Sequence, residues 1–498
     1  MNQQASAPEV AGAMGGPLPG SLEPNAEAGA DAAALADLKP VRLSKGALSW
    51  SLYEGGRDPY VILVSIYIFA PYFSSVMVGD PVKGQALVAT ITTTYSLFVA
   101  FTAPFLGASI DKFGGRKPLL MLITGLMVPI IGALWFAKPD GSGLSILTVS
   151  IMLGVIGALF AYGEVLHNSL LTRAASHREA PYASGLALSL GNFFSVLVLT
   201  FVLVAFALPG TVDWGFVPKE PLFGLSKALN EPDRIVGPIA AGLLLFGAIP
   251  LFLFTPDAPH TGVKLGEGLK QGAINLWVTL KSLRGEKDVA VYLGSRMLFT
   301  DGMTSLLAFG GVYAAGVMRW GVLELTAYGV LLSIFAVAGG FIGGWMDSVF
   351  GPKRAVQVAV GASIVCLIGQ LSMGREKIFF LFPYDPAQHA PIWNGPMFRT
   401  LPEALYLLVG FGTAIFVTAH YASSRTLLTR LVAPERVASF FGLYALSGTV
   451  TVWIGSLLVG IATNTFKTQQ AGFLPIALLL ILGFIGMLFV KGGLKQDR

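Results

Sequence analysis

One cysteine, Cys366, is all the thiol this 498-residue chain contains. A lone thiol closes no internal disulfide and builds no cysteine metal cluster. Its apolar setting, "GASIVCLIGQ", reads as a buried small hydrophobe. Charge is scarce as well: Asp, Glu, Lys and Arg make up 12% of residues, against about 25% in a soluble domain. That deficit, with 54% hydrophobic residues and a mean hydropathy of +0.69, excludes a soluble protein. The formal net charge of +5 forms no basic patch of the kind that binds nucleic acid. Two catalytic signatures are missing: Gly-x-x-x-x-Gly-Lys-[Ser/Thr], which would bind ATP, and His-Glu-x-x-His, which would bind zinc. No cofactor and no metal site is expected. The first ~40 residues are rich in Ala, Gly and Pro and hold no signal-peptide core. Residues 1–48 read as a disordered cytoplasmic tail.

Long apolar runs, by contrast, are plentiful. A helix needs about 20 apolar residues to cross the hydrocarbon core of a bilayer. On that measure the sequence predicts twelve spans, at 59–79, 85–110, 118–137, 144–168, 182–208, 236–254, 289–317, 322–346, 355–373, 401–424, 438–463 and 472–490. The 60 glycines suit a membrane bundle, where small residues let helices approach closely. With the N-terminus in the cytoplasm, segments on that side hold 22 of the 33 Lys and Arg, and the other side holds 10. The positive-inside tendency therefore places both termini, including the tail 491–498, in the cytoplasm. Between spans 6 and 7, residues 256–288 carry cations between Leu269, Ile274, Trp277 and Leu280 near helical spacing, a pattern for an amphipathic helix on the inner surface.

Two polar loops occur twice. "SLLTRAASHREA" starts at Ser169 and "TLLTRLVAPERV" at Thr426; over residues 169–191 and 426–448 seven of 23 positions are identical. "GASIDKFGGRK" (107–117) is echoed by "GGWMDSVFGPKR" (343–354). The first pair of loops follows spans 4 and 10, the second spans 2 and 8. The chain is thus two halves of six helices, 49–255 and 289–490. An even number of spans per half makes the halves parallel, related by an axis along the membrane normal.

At "GASIDKFGGRK" the sequence resembles the signature loop of the major facilitator superfamily, here Gly107, Asp111, Lys112, Gly114, Arg116 and Lys117. The stretches "SLYEGGRDPY", "LFTDGMTSLLAFGGVYAA" and "RTLLTRLVAPERVASFFGLYALSG" are similar to the vacuole-effluxer branch, the autophagy-related amino-acid effluxers and their bacterial relatives. The resemblance implies an all-α membrane protein of the major facilitator fold, with twelve transmembrane helices in two parallel six-helix halves. It implies a monomer in a bacterial inner membrane, in contact with lipid and with a small-molecule substrate. It also implies a gating role for Gly107, Asp111, Arg116 and Lys117, the aspartate meeting a helix N-terminus of the other half. Such a contact is worth up to ~2 kcal/mol when partly buried. Asp347, Lys353 and Arg354 would be the second copy of this gate.

An ionisable side chain inside a bilayer is costly and so normally faces a cavity or a partner. Those within spans are Glu164, His167 and their neighbour Asn168 on helix 4, Arg296 and Asp301 on helix 7, and His420 and Arg425 on helix 10. Glu54, Arg57 and Asp58 stand at the entrance of helix 1. In major facilitator proteins helices 1, 4, 7 and 10 line the central cavity. Asp301 lies deepest and is the expected proton or substrate-ammonium site, unless it is tied to Arg296. Arg425 is placed to pair with Glu164 or Glu54 across the halves as an inner gate. The sequence thus predicts a secondary transporter, proton-coupled, that exports amino acids or related metabolites. The alternatives are an uptake or drug-efflux facilitator, a transporter-like sensor, or an intramembrane enzyme, for which no catalytic constellation is present.

Overall fold

The computed structural model describes residues 42–113, 115–176, 179–257, 283–432 and 451–491, with single positions between 274 and 281 and between 440 and 448. Within them the chain forms α1 (Lys45–Met77), α2 (Pro81–Phe113), α3 (Lys117–Ala133), α4 (Ile146–Ala174), α5 (Ala180–Val202) and α6 (Val236–Phe254). After the linker come α7 (Lys287–Tyr313), α8 (Val322–Phe350), α9 (Pro352–Leu371), α10 (Leu401–Leu431), α11 (Val452–Phe466) and α12 (Gln469–Phe489). Among the described residues, ten helices are long and apolar enough to cross a membrane. Of the other two, α7 is 27 residues long but carries Lys287, Asp288, Arg296 and Asp301, and α11 is described over 15 residues. The amphipathic reading of 256–288 lies mostly outside the described residues, although Ile274, Trp277 and Lys281 are helical there.

The first span corrects the sequence expectation. It begins at Lys45 rather than at 59, capped by Ser44, whose Oγ accepts the Ala47 N–H at 3.2 Å. Glu54, Arg57 and Asp58 therefore lie inside the bundle and not at its entrance. Their charges had masked the span from a hydropathy criterion. Pro59 and Pro71 then loosen the helix: wide π turns follow at Val61–Tyr67 and Phe73–Met77, and Ile68 leaves helical geometry at φ −123°. A proline lacks the N–H that would close the preceding turn. Neighbouring helices make such breaks tolerable at membrane depth.

Within the halves, α1 packs on α5 and α6, α7 on α12, and α10 on both α8 and α9. A close crossing of α1 and α6 depends on glycine, since a Cβ at Gly56 would stand 2.4 Å from the Leu243 carbonyl and 2.8 Å from Gly247 Cα. Across the halves α2 packs on α11 and α5 on α8, the two equivalent contacts of a duplicated bundle. The cross-half ties gather near one end. Gln85 Nε2 donates to Thr463 Oγ1 at 2.9 Å and to the Gln469 carbonyl at 3.0 Å. Tyr67 meets Tyr328 edge-on at 6.2 Å, and Gly311 admits the Ile66 carbonyl where a Cβ would clash at 1.9 Å. This is the end opposite the loop 107–117. At the loop end, Glu164, Asn168 and Arg425 are exposed.

Candidate functional site

The charged core of the first half is built on α1 and α4. Arg57 is buried and lies over the Phe160 ring at 3.9 Å, a cation–π contact. Its Nη1 donates to Glu54 Oε2 at 2.8 Å and lies 3.8 Å from Asp58 Oδ1; its Nη2 reaches Glu164 Oε2 at 3.2 Å. Three carboxylates around one guanidinium satisfy a buried cation whose desolvation would otherwise cost several kcal/mol. The Glu164 side chain is 54% exposed, whereas that of Glu54 is 13% exposed. Glu164 thus faces Arg57 while more than half of its side chain stays accessible. Asp58 is seated against α5, where a Cβ on Gly191 would meet its Oδ2 at 2.0 Å. Only glycine leaves room there.

His167 completes this cluster. Its ring stacks on Trp50 at 4.4 Å and tilts against Tyr53 at 4.7 Å. Trp50 Nε1 donates to the His167 carbonyl at 2.7 Å, and His167 Nε2 lies 2.9 Å from the Trp50 carbonyl. A carbonyl only accepts, so Nε2 carries hydrogen. On the other side, Nδ1 sits 2.9 Å from Glu54 Oε1, at ion-pair distance but off the straight line of a hydrogen bond.

The second half repeats the scaffold with other partners. Arg296 lies over the Tyr444 ring at 3.5 Å, and its Nη1 donates to the Tyr444 carbonyl at 2.7 Å and to Ser447 Oγ at 2.6 Å. Asp301 is 1% exposed, and its Oδ1 accepts from Thr451 Oγ1 at 3.0 Å. The tie between Arg296 and Asp301 is not formed among the described residues. Five residues apart on one helix, they point about 140° away from each other. His420 is a hydrogen-bonded spacer: Nδ1 lies 2.8 Å from the Val417 carbonyl, and the ring meets Phe299 edge-on at 5.3 Å. The cross-half pairing of Arg425 with Glu164 or Glu54 is likewise unformed, because both carboxylates are engaged by Arg57 of their own half.

At the loop end, the side chains of Gly107 to Phe113, Asp111 included, lie outside what is described. Arg116 and Lys117 are described, and they work within their half. Asp257 Oδ1 accepts the Arg116 N–H at 2.9 Å and its Oδ2 the Lys117 N–H at 3.0 Å, so a carboxylate caps the N-terminus of α3. Lys117 Nζ donates to the Thr255 carbonyl at 2.7 Å, at the C-terminus of α6. The motif thus fastens α3 to α6. In the later copy Asp347 lies beside Ser423 and Thr426 of α10. Lys353 and Arg354 occupy the first turn of α9 and form no ion pair among the described residues. Cations at a helix N-terminus oppose its dipole, so they fit a topological signal better than a lock. Outside the membrane, Glu179 ties the loop between α4 and α5 to the start of α1. It accepts the Ser44 N–H at 2.6 Å and the Ser176 N–H at 2.9 Å. These hydrogen bonds, those with Ser176 foremost, hold its carboxyl at about 2.

The structure therefore gathers Glu54, Glu164 and His167 around Arg57, and leaves Arg296, Asp301 and His420 as separately satisfied residues. Sequence reasoning missed Asp257, Trp50 and Phe160. Asp257 sits four residues short of a turn signal and reads as an ordinary loop acid. Trp50 and Phe160 read as plain apolar residues. One legible signal went unused: Tyr53-x-Gly55-x-Arg57 recurs as Tyr292-x-Gly294-x-Arg296.

A family model described as "Vacuole effluxer Atg22 like" matches residues 174–494, well over half of the chain. Autophagy-related protein 22 of Yarrowia lipolytica is 27% identical over 228 residues, 44% of this chain and 35% of that protein. In Candida glabrata the protein of the same name is 24% identical over 292 residues, 48% of its length. The chain thus spans between a third and half of these curated relatives. An uncharacterized protein of Aquifex aeolicus is 23% identical over 410 residues, 80% of this chain and 87% of its own. Among solved structures, the nucleoside transporter NupG superposes with a TM-score of 0.61 at 12% identity, covering 90% of this chain and 99% of that one. A bacterial homolog of the human lysosomal transporter Spinster gives 0.59 at 15% identity, covering 91% and 98%. These likenesses establish the fold, and an effluxer family leaves no place for the enzyme alternative. The chain belongs to the Atg22-like vacuole effluxer family of membrane transporters, built on the major facilitator fold.

Proposed function

We propose that this protein is a proton-coupled secondary transporter that exports amino acids or related small metabolites by rocking its two halves about a central site. The observation that carries the reading is the placement of charge. Arg57, Glu54, Asp58 and Glu164 cluster within a bundle whose halves are tied together at the end away from the 107–117 loop. Buried charges are expensive in a membrane and are kept where a cavity or cargo uses them. A chamber with acidic groups on one wall and Arg296 on the other suits a zwitterion. Asp301, buried with one hydroxyl partner and no cation among the described residues, is the carboxyl that would take up and release the coupling proton. The positive-inside count supports a cytoplasmic position for both termini and for the 107–117 loop end, the side from which cargo would enter. Asp111 and Asp347 would strengthen the contact between halves at the cytoplasmic end when that end closes, with Arg425 recruited to Glu164 in the closed state.

The test is flux in proteoliposomes loaded with a radiolabelled mixture of L-amino acids and diluted into medium more acidic than the lumen. Efflux faster than from empty-lipid controls, and faster with the proton gradient than without it, is expected. Asp301→Asn should leave flux measurable but no faster with the proton gradient than without it. Equal efflux with and without the protein would contradict the export reading.

A further inference from the structure

The Glu54–His167 contact contains a chemical constraint. His167 Nε2 must bear hydrogen, because it faces the Trp50 carbonyl at 2.9 Å. If the ring is neutral, Nδ1 then presents a lone pair, and it does so 2.9 Å from a carboxylate oxygen that also has only lone pairs. Two such atoms repel in a low-dielectric interior. The ring cannot turn away, since it is held between Trp50 and Tyr53, with the backbone of α1 on its far nitrogen. Glu54 is held there by one oxygen, its Oε2 taken by Arg57 at 2.8 Å. A proton between Nδ1 and Oε1 removes the conflict.

We infer that Glu54 and His167 share one exchangeable proton, and that this proton and a cationic group of the cargo compete for the same acidic cluster. The inference rests on the proton-coupled reading above and adds to Asp301 a second proton site, one that sets the affinity for cargo. The charged and titratable groups facing the pair are Arg57, Asp58 and the Tyr53 phenol from α1 and Glu164 from α4. Among the described residues, α3 contributes only the Thr124 hydroxyl, bonded to Tyr53, and α5 only the glycine surface at Gly191. With the proton present, three carboxylates face an arginine and a histidinium, or the same total charge with the proton on Glu54. When the proton passes to cavity water, the ring becomes neutral and the cluster gains one negative charge. No other bond is made or broken. Glu54 then turns wholly to Arg57, and Glu164, already the most exposed of the three, is released to take an ammonium group. Proton bound and cargo bound are alternatives at one site, which is the logic of exchange.

Two measurements test this. The first needs no cargo: nitrogen-15 NMR of the histidine-labelled protein in detergent, at pH 6 to 8, with His167 assigned by its loss in His167→Gln. A protonated or hydrogen-bonded Nδ1 that becomes a bare lone pair in Glu54→Gln or shifts strongly there supports the shared proton. A bare Nδ1 in the wild type, unmoved by Glu54→Gln, overturns it. The second is the pH profile of flux of the L-amino-acid mixture. Competition predicts an apparent KM that falls roughly three- to tenfold for each pH unit of rise on the loading side, with kcat changing less. It predicts a flat profile in Glu54→Gln. A wild-type KM indifferent to pH overturns the competition. A shared proton seen by NMR in a protein that moves none of the mixture supports the pair and instead refutes the export reading.

Discussion

Each half of this molecule sets an arginine in its first helix against an aromatic ring, four residues after a tyrosine, and the resemblance ends at the partners. Arg57 lies over Phe160 and is ringed by Glu54, Asp58 and Glu164; Arg296 lies over Tyr444 and is held by a carbonyl and a hydroxyl. The scaffold ties are shared too. Trp50 Nε1 donates to the His167 carbonyl in one half, and Tyr292 Oη donates to the Ser424 carbonyl in the other at 2.5 Å. His167 and Ser424 are equivalent positions of the duplicated loop-proximal helix. Duplication has kept what joins the first helix of each half to the fourth. The charge around the arginines has diverged: acidic surplus in the first half, a cation with neutral partners in the second. The electrostatic difference between the halves follows from that divergence, not from the repeat itself.

The comparison is broken most severely at Arg57. Arg57→Met should leave three carboxylates facing one another and cost about 3–5 kcal/mol, the usual penalty for stripping one partner from a buried ion cluster. Thermal unfolding in detergent should show a large loss, with flux abolished. Arg296→Met removes no carboxylate's partner, and should cost clearly less stability while still impairing flux. Equal losses at the two sites would mean that the halves are not electrostatically different.

Gly191→Ala sharpens the comparison within the first half. The new methyl would collide with Asp58 Oδ2, so Asp58 must swing off α5. Flux is expected to fall severalfold with little change in the unfolding midpoint.

How much of this was legible beforehand depends on the physical scale involved. The many-helix membrane fold is set by runs of about twenty apolar residues, and these survive in one dimension. The start of α1 did not, because Glu54, Arg57 and Asp58 dilute its hydropathy although each has an oppositely charged partner in three dimensions. The pairing of Glu164 with Arg57, rather than with Arg425, turns on a 3.2 Å contact between helices 107 residues apart in sequence. Spacing on a single helix could have ruled out the Arg296–Asp301 tie, since residues five apart diverge. The role of Asp257 was hidden for a different reason: capping α3 from beyond α6 requires knowing that those two helix ends are neighbours.

Smaller effects lie at the loop end. Asp257→Asn keeps one acceptor oxygen for the α3 N-terminus, sets a donating amide against the second N–H and loses the favourable charge, and should cost roughly 0.5–1 kcal/mol, read as a modest fall in the unfolding midpoint. Glu179 has its carboxyl held at about 2, so its contribution is present above the ordinary carboxylate value and lost as pH falls toward 2. Glu179→Gln should therefore flatten slightly the acid limb of stability, with no change near pH 7.

The account rests on relative motion of two halves, and the pair Gln85 and Thr463, 2.9 Å apart across the tied end, tests it most directly. In a Cys366→Ser background, Gln85→Cys with Thr463→Cys should be joined by a short, reducible bis-thiosulfonate crosslinker. The crosslinked protein should pass none of the amino-acid mixture, and reduction should restore flux to that of the uncrosslinked protein. Full-rate flux with the tied end covalently locked would contradict the account.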